Sequence, residues 1–130
     1  MSYEARAGAV LYAKDIERVA AFYSAVLGFE PAGGDEEYLL LESPTFQLVV
    51  LRIPGRTAST IQTAVPPVRR ADAAVKLVFF VPSIAEVRVL AETQGGVLNE
   101  PEREWRFNGG KVCDGLDPEG NVIQFREQAG

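Results

Sequence analysis

Val10-Leu11-Tyr12-Ala13-Lys14-Asp15-Ile16-Glu17 is a short apolar run that turns into a helix, and Phe79-Phe80-Val81-Pro82-Ser83-Ile84-Ala85-Glu86 does the same. At a constant offset of 68 positions, Tyr12 maps onto Phe80, Gly28 onto Gly96 and Phe29 onto Val97. Strand, polar cap, helix, glycine and strand recur in one order at one spacing. An internal repeat of this kind decides architecture before any other feature is read. It implies two copies of one small α+β module, with whatever the protein binds lying between them.

Working outward, residues 7–13 read as a strand and Asp15 as a helix N-cap, whose carboxylate accepts from an orphan backbone N–H. Ile16, Val19, Ala20, Tyr23, Val26 and Leu27 share one helical face, and Gly28 ends the helix. Phe29-Glu30-Pro31 starts a strand that breaks at Gly33-Gly34-Asp35. Tyr38 to Glu42 and Phe46 to Ile53 are two more strands, joined tightly through Ser43-Pro44-Thr45. The second copy begins with a strand from Val75 to Val81, followed by the capping box Ser83-Ile84-Ala85-Glu86. Its helix buries Ile84, Val87, Leu90 and Ala91 and closes at Gly95-Gly96, ahead of a strand at 97–99. Strands near 111–116 and 121–127 flank Asp117-Pro118-Glu119-Gly120-Asn121, a strong hairpin signal. The expectation is a single α+β domain over residues 1–130, with module one at 5–54, a linker at 55–72 and module two at 73–130. The two βαβββ modules form a curved mixed sheet around a cleft, with helices on the outer face. The proline- and threonine-rich linker, with Arg56, Arg69 and Arg70, reads as a plain connection, a lid or a dimer arm.

Composition bounds the function. At 47% hydrophobic and 24% charged, the chain has enough apolar surface for a core and is not disordered. A net charge of −5 argues against nucleic acid, which wants a basic footprint. No apolar run approaches the roughly 18 residues of a membrane span, and Met1 to Arg6 lacks the basic flank and apolar stretch of a signal peptide. The lone Cys113 cannot form an internal disulfide, which fits a reducing cytoplasm. With no histidine, imidazole bases, triad histidines and histidine metal ligands are all excluded.

Three features coincide: the paired modules, the run Val19-Ala20-Ala21-Phe22-Tyr23-Ser24-Ala25-Val26-Leu27-Gly28-Phe29, and Asp117-Pro118-Glu119-Gly120-Asn121-Val122-Ile123-Gln124-Phe125. Together they make the whole chain resemble the vicinal oxygen chelate superfamily, which holds glyoxalase I, extradiol dioxygenases, fosfomycin-modifying enzymes and bleomycin-type resistance proteins. The resemblance implies four metal-ligand positions on cleft-facing strands. Here they fall at Gly8, near Val50, at Lys76 and at Gln124. Glycine, valine and lysine supply no cage, and glutamine alone is a weak ligand. No metal, no cofactor and no metal-dependent glyoxalase or dioxygenase activity are therefore expected. The resemblance also implies a homodimer, which would cover the edges of such small sheets.

Strand alternation places Gly8, Val10 and Tyr12 toward the cleft, with Lys76, Val78 and Phe80, with Leu48, Val50 and Arg52, and with Val122, Gln124 and Arg126. This lining is apolar and aromatic with a few polar tips, as a small-molecule pocket requires. The ligand-binding candidates are Tyr12, Val50, Lys76, Phe80, Trp105 and Gln124. Each has a plainer reading. Tyr12 and Phe80 can be ordinary core. Lys76 can snorkel, pair with a carboxylate, or present a reactive amine. Trp105, in a loop-like stretch, either caps the core or offers a stacking surface. Cys113 reads as a small buried apolar residue. Three functions follow. The first is metal-independent binding of a small, partly aromatic molecule, such as an antibiotic or other natural product. The second is a lyase- or isomerase-type enzyme using Lys76, Asp114 or Glu42 as acid or base. The third is a ligand-free dimeric scaffold with a filled cleft.

Overall fold

Strand β1 (Ala7–Ala13) and helix α1 (Ile16–Leu27) lead into β2 (Glu30–Gly34), β3 (Tyr38–Glu42) and β4 (Phe46–Arg52). The second half runs β5 (Leu77–Phe80), α2 (Ile84–Thr93), β6 (Val97–Leu98), β7 (Trp105–Phe107), β8 (Gly110–Leu116) and β9 (Val122–Gln128). This computed structural model describes residues 6–55, 65–70 and 73–128; Arg56 and most of the 55–72 connection, with its lid and dimer-arm readings, lie outside the described residues. The repeat is visible in the topology. One sheet has the order β1-β4-β3-β2 and the other β5-β9-β8-β6, with β7 added against β8. In each, the strand before the helix pairs in parallel with the last strand of its half: Val10 lies beside Val49, and Val78 beside Gln124.

Local chemistry sets the helix ends. Asp15 accepts from Arg18 N at 3.1 Å, and Gly28, at φ 72°, donates its N–H to Ser24 O at 2.9 Å. Ser83 caps α2 by accepting from Glu86 N at 3.2 Å. The return bond of the expected capping box is not made among the described residues. Instead the Glu127 carboxylate accepts from Ile84 N at 2.7 Å. Helix α1 receives a similar long-range acceptor: Glu119 takes Lys14 N at 2.9 Å and Asp15 N at 2.8 Å. Two carboxylates of the second half therefore sit at the positive ends of both helices, where anions are favoured.

Both sheets lay one face on the helices in a single shared core. Tyr23, Phe22, Phe125, Leu48, Val50 and Ile123 are sealed from solvent within it. Phe79 joins the halves, with its ring 5.4 Å from Phe46, 5.9 Å from Phe29 and 6.5 Å from Tyr23. Such aromatic pairs contribute roughly 0.5–1.5 kcal/mol each beyond area burial. Asp117 is buried too. Its carboxylate accepts from the Tyr23 hydroxyl at 2.8 Å, from Asn121 Nδ2 at 2.8 Å, and from the Glu119 and Asn121 backbone amides. Burial pushes this carboxyl above its ordinary range, while those hydrogen bonds pull the other way. Among the described residues, no helix is long and apolar enough to cross a membrane.

Candidate functional site

The opposite face of each sheet is open. On the first sheet it carries Val10 and Tyr12, each 56% exposed. Register places Val49 and Leu51 of β4 beside them. The expectation that Leu48, Val50 and Arg52 line this face is corrected: Leu48 and Val50 are fully buried against the helices. The slip is one residue, and in a strand that reverses every side chain. Val49, which pairs with Val10 as Gln124 pairs with Val78, is the true counterpart of Gln124.

The open face of the second sheet is richer. Phe80 is 58% exposed, Phe107 53% and Trp105 40%. Trp105 is not in a loop. It stands in β7, opposite Val112 of β8, with Phe107 two residues along on the same face. That short strand was missed because three residues carry no readable period.

A polar spine crosses the same face. Lys76 Nζ sits 2.9 Å from Asp114 Oδ2, so the lysine is paired with a carboxylate of its own chain. Asp114 Oδ1 accepts from Gln124 Nε2 at 3.2 Å, and Gln124 Oε1 accepts from Arg126 Nε at 2.8 Å. The Arg126 guanidinium then lies 4.9 Å from the Phe107 ring centre and 5.8 Å from that of Phe80. Of the sequence candidates, Lys76, Phe80, Trp105 and Gln124 therefore share the second sheet's face, Tyr12 lies on the first, and Val50 is core. Arg126 and Phe107 are additions. Parity puts Arg126 on the cleft-facing side, but its place near a strand end reads as plain solvation rather than as a site.

Two depressions border this surface. One of about 220 Å³ is lined by Arg69, Asn99, Arg103, Asp114, Leu116 and Val122. The other, about 270 Å³, lies between the halves, where Ala9, Val10 and Leu11 of β1 face Val75, Leu77 and Val122.

The residues present do not fit a metal ion. A Cβ at Gly8 would stand 2.9 Å from Gln47 O, so no ligand side chain fits there without a shift. Val50 is sealed in the core and its neighbour Val49 is apolar. Lys76 brings a positive charge, and both ends of the Gln124 amide are already engaged. Among the described residues no three of His, Cys, Asp and Glu cluster as a metal site would need. Nor does a nucleophile emerge among the described residues. Cys113 is buried, and desolvation raises its thiol pKa despite the nearby Arg88 guanidinium. Glu42 is held by Arg6 at 2.7 Å and Gln47 at 3.3 Å, which lower its pKa and keep it an ionised surface carboxylate.

Comparison with known proteins agrees with this architecture. The family model described as the Glyoxalase/Bleomycin resistance protein/Dioxygenase superfamily matches residues 7–125, and the chain belongs to that superfamily. Among solved structures, a glyoxalase/bleomycin resistance protein/dioxygenase family enzyme from Burkholderia phytofirmans PsJN superposes with a TM-score of 0.70 at 17% identity, covering 94% of this chain and 97% of that one. The bleomycin resistance determinant encoded on transposon Tn5 gives 0.64 at 17% identity, over 98% and 100% of the two chains. A lactoylglutathione lyase from Agrobacterium tumefaciens gives 0.60 at 20% identity, over 97% and 95%. Identities this low establish the shared fold alone. No curated protein sequence matches the chain.

Proposed function

We propose that this protein binds a small, partly aromatic organic molecule, without a metal ion, on the open face formed by β5, β9, β8 and β7. The observation that carries this reading is the grouping of exposed Phe80, Trp105 and Phe107 on one face with a hydrogen-bonded polar spine. Exposed aromatic surface of this kind marks interaction sites, and a few fixed polar groups within an apolar lining give a ligand its orientation. An antibiotic or other natural product is in keeping with the bleomycin resistance determinant among the structural neighbours.

The working unit is a homodimer. Val10 and Tyr12 leave apolar surface on the first sheet that a second copy of the chain would cover. The compartment is the cytoplasm, where the lone thiol of Cys113 stays reduced.

Catalysis by Lys76 or a carboxylate is the weaker reading. Lys76 and Asp114 neutralise one another, and Glu42 is tied to Arg6 away from the aromatic group. A filled scaffold is also disfavoured, since Val78, Phe80, Trp105 and Phe107 on this face stay exposed although Val112, Val122 and Gln124 beneath them are buried. A thermal-shift screen of aromatic small molecules on chelator-treated protein tests the proposal. Compounds that raise the melting temperature, with the rise lost in Trp105→Ala or Phe80→Ala, support it, because binding the native state alone adds stability. Absence of any such compound, or stabilisation indifferent to both substitutions, overturns it.

A further inference from the structure

We infer that the ligand of this face is an anion: a planar apolar body carrying a carboxylate-type group that seats on Arg126. The inference rests on the small-molecule reading above and deepens it.

The chain as a whole is acidic, with 18 Asp and Glu against 13 Lys and Arg. This face is not. By register, the side chains on the open face of the second sheet include one carboxylate, Asp114, and Lys76 neutralises it at 2.9 Å. Arg126 remains as the uncompensated charge at the centre of the aromatic group. At the rim, Arg69 and Arg103 line the 220 Å³ depression beside Asp114. Among the described residues, none of these three arginines belongs to an ion pair.

Arg126 is also held in position. A guanidinium has five N–H donors. One, Nε, is spent on Gln124 Oε1 at 2.8 Å, and Gln124 is in turn held by Asp114. The guanidinium also lies over two rings, 4.9 Å from the centre of Phe107 and 5.8 Å from that of Phe80. The outer Nη edge, the part that grips a carboxylate through two parallel bonds, is left without a protein carboxylate. An arginine needed only for solubility would gain nothing from a relay of fixed partners behind it. A planar ligand would lie across Phe80, Phe107 and Trp105, with its acid group on that edge.

The probes are 2-naphthoate and 2-naphthamide, which share one ring system and differ in charge. Both are titrated into chelator-treated 15N-labelled protein at low salt, and dissociation constants are read from amide and indole shifts. The expected result is that the wild type binds naphthoate about tenfold or more tightly than the amide, the ratio expected of a charge-assisted pair of bonds. In Arg126→Met, which keeps the apolar stem, the preference should vanish while amide binding persists. Arg126→Lys should restore part of it, as a point charge without the fork. A naphthoate preference that survives in Arg126→Met, or a wild type that binds both probes equally at this face, overturns the anion assignment and leaves the small-molecule reading intact. If neither probe moves the signals of Val78, Phe80, Trp105 and Phe107, the small-molecule reading itself falls.

Discussion

The Tyr23 hydroxyl donates to Asp117 Oδ2 at 2.8 Å, pinning the first helix to the hairpin of the second half across 94 positions. Both groups are buried, so the bond is formed where water cannot replace it. Removing the hydroxyl leaves the carboxylate one donor short, and hydrogen bonds to charged groups are worth about 1.5–3 kcal/mol. Tyr23→Phe should lower stability by about that amount in denaturant titration. A midpoint equal to the wild type's would show that the pin contributes nothing.

The same tyrosine gives a pH signature. Burial, and then the charge of Asp117, raise its pKa well above the ordinary tyrosine value of 10.0. Above that pH the unfolded chain loses the phenolic proton while the folded chain keeps it. The folded state then binds more protons, so stability falls as pH rises from about 10 toward the folded pKa. Tyr23→Phe should flatten that alkaline decline. Parallel stability curves for the two proteins above this pH would contradict the assignment.

Glu119 holds the start of α1 through two backbone amides, at 2.9 and 2.8 Å. Glu119→Ala strands both donors beside a buried hairpin and should cost about 1–3 kcal/mol. Glu119→Gln keeps one acceptor and should cost less. Hydrogen exchange at Lys14 and Asp15 reports the loss directly; unchanged protection in Glu119→Ala would show that these amides are held by something else.

Neighbouring valines on β4 separate its two faces. Val50 is fully buried among the helix contacts, whereas Val49 lies on the open side. At about 0.8 kcal/mol per buried CH₂, with a cavity penalty added, Val50→Ala should cost roughly 2 kcal/mol or more. Val49→Ala should cost much less. The reverse order, measured by thermal or urea unfolding, would restore the face assignment that alternation alone suggested.

Why alternation failed there is physical. Phe46-Gln47-Leu48-Val49-Val50-Leu51-Arg52 is mainly apolar on both sides, with Gln47 polar on one and Arg52 on the other, so its polar residues give conflicting signs of which side meets the helix. Where the signals were chemical rather than periodic, they were readable: Asp15 and Ser83 as caps, Gly28 as the helix stop, and Asp117 to Asn121 as a hairpin. Lys76, Val78 and Phe80 were placed on the correct side because Gly8, Val10 and Tyr12 repeat them. The Lys76–Asp114 pair and the contacts of Arg126 with the Phe80 and Phe107 rings are beyond the reach of alternation. Both depend on β8 and β7 folding back beside β9, which is tertiary information.

Sedimentation equilibrium at micromolar concentration tests the dimer. The expected species has twice the 14.1 kDa mass of the chain. A single 14.1 kDa species at that concentration would contradict it.

Everything proposed for this protein turns on metal-free binding of an aromatic molecule on the open face of the second sheet. It is tested most directly by mapping where 2-naphthoate binds in chelator-treated protein, from 1H–15N shift changes. The predicted result is a cluster of saturable changes at Val78, Phe80, Trp105, Phe107 and Arg126, with the indole N–H of Trp105 among them and no requirement for a divalent ion. Changes confined to the crevice beside Ala9 and Leu77, or to the outer face of α2 around Val89 and Leu90, would contradict the claim. So would binding that appears only when a divalent metal is restored.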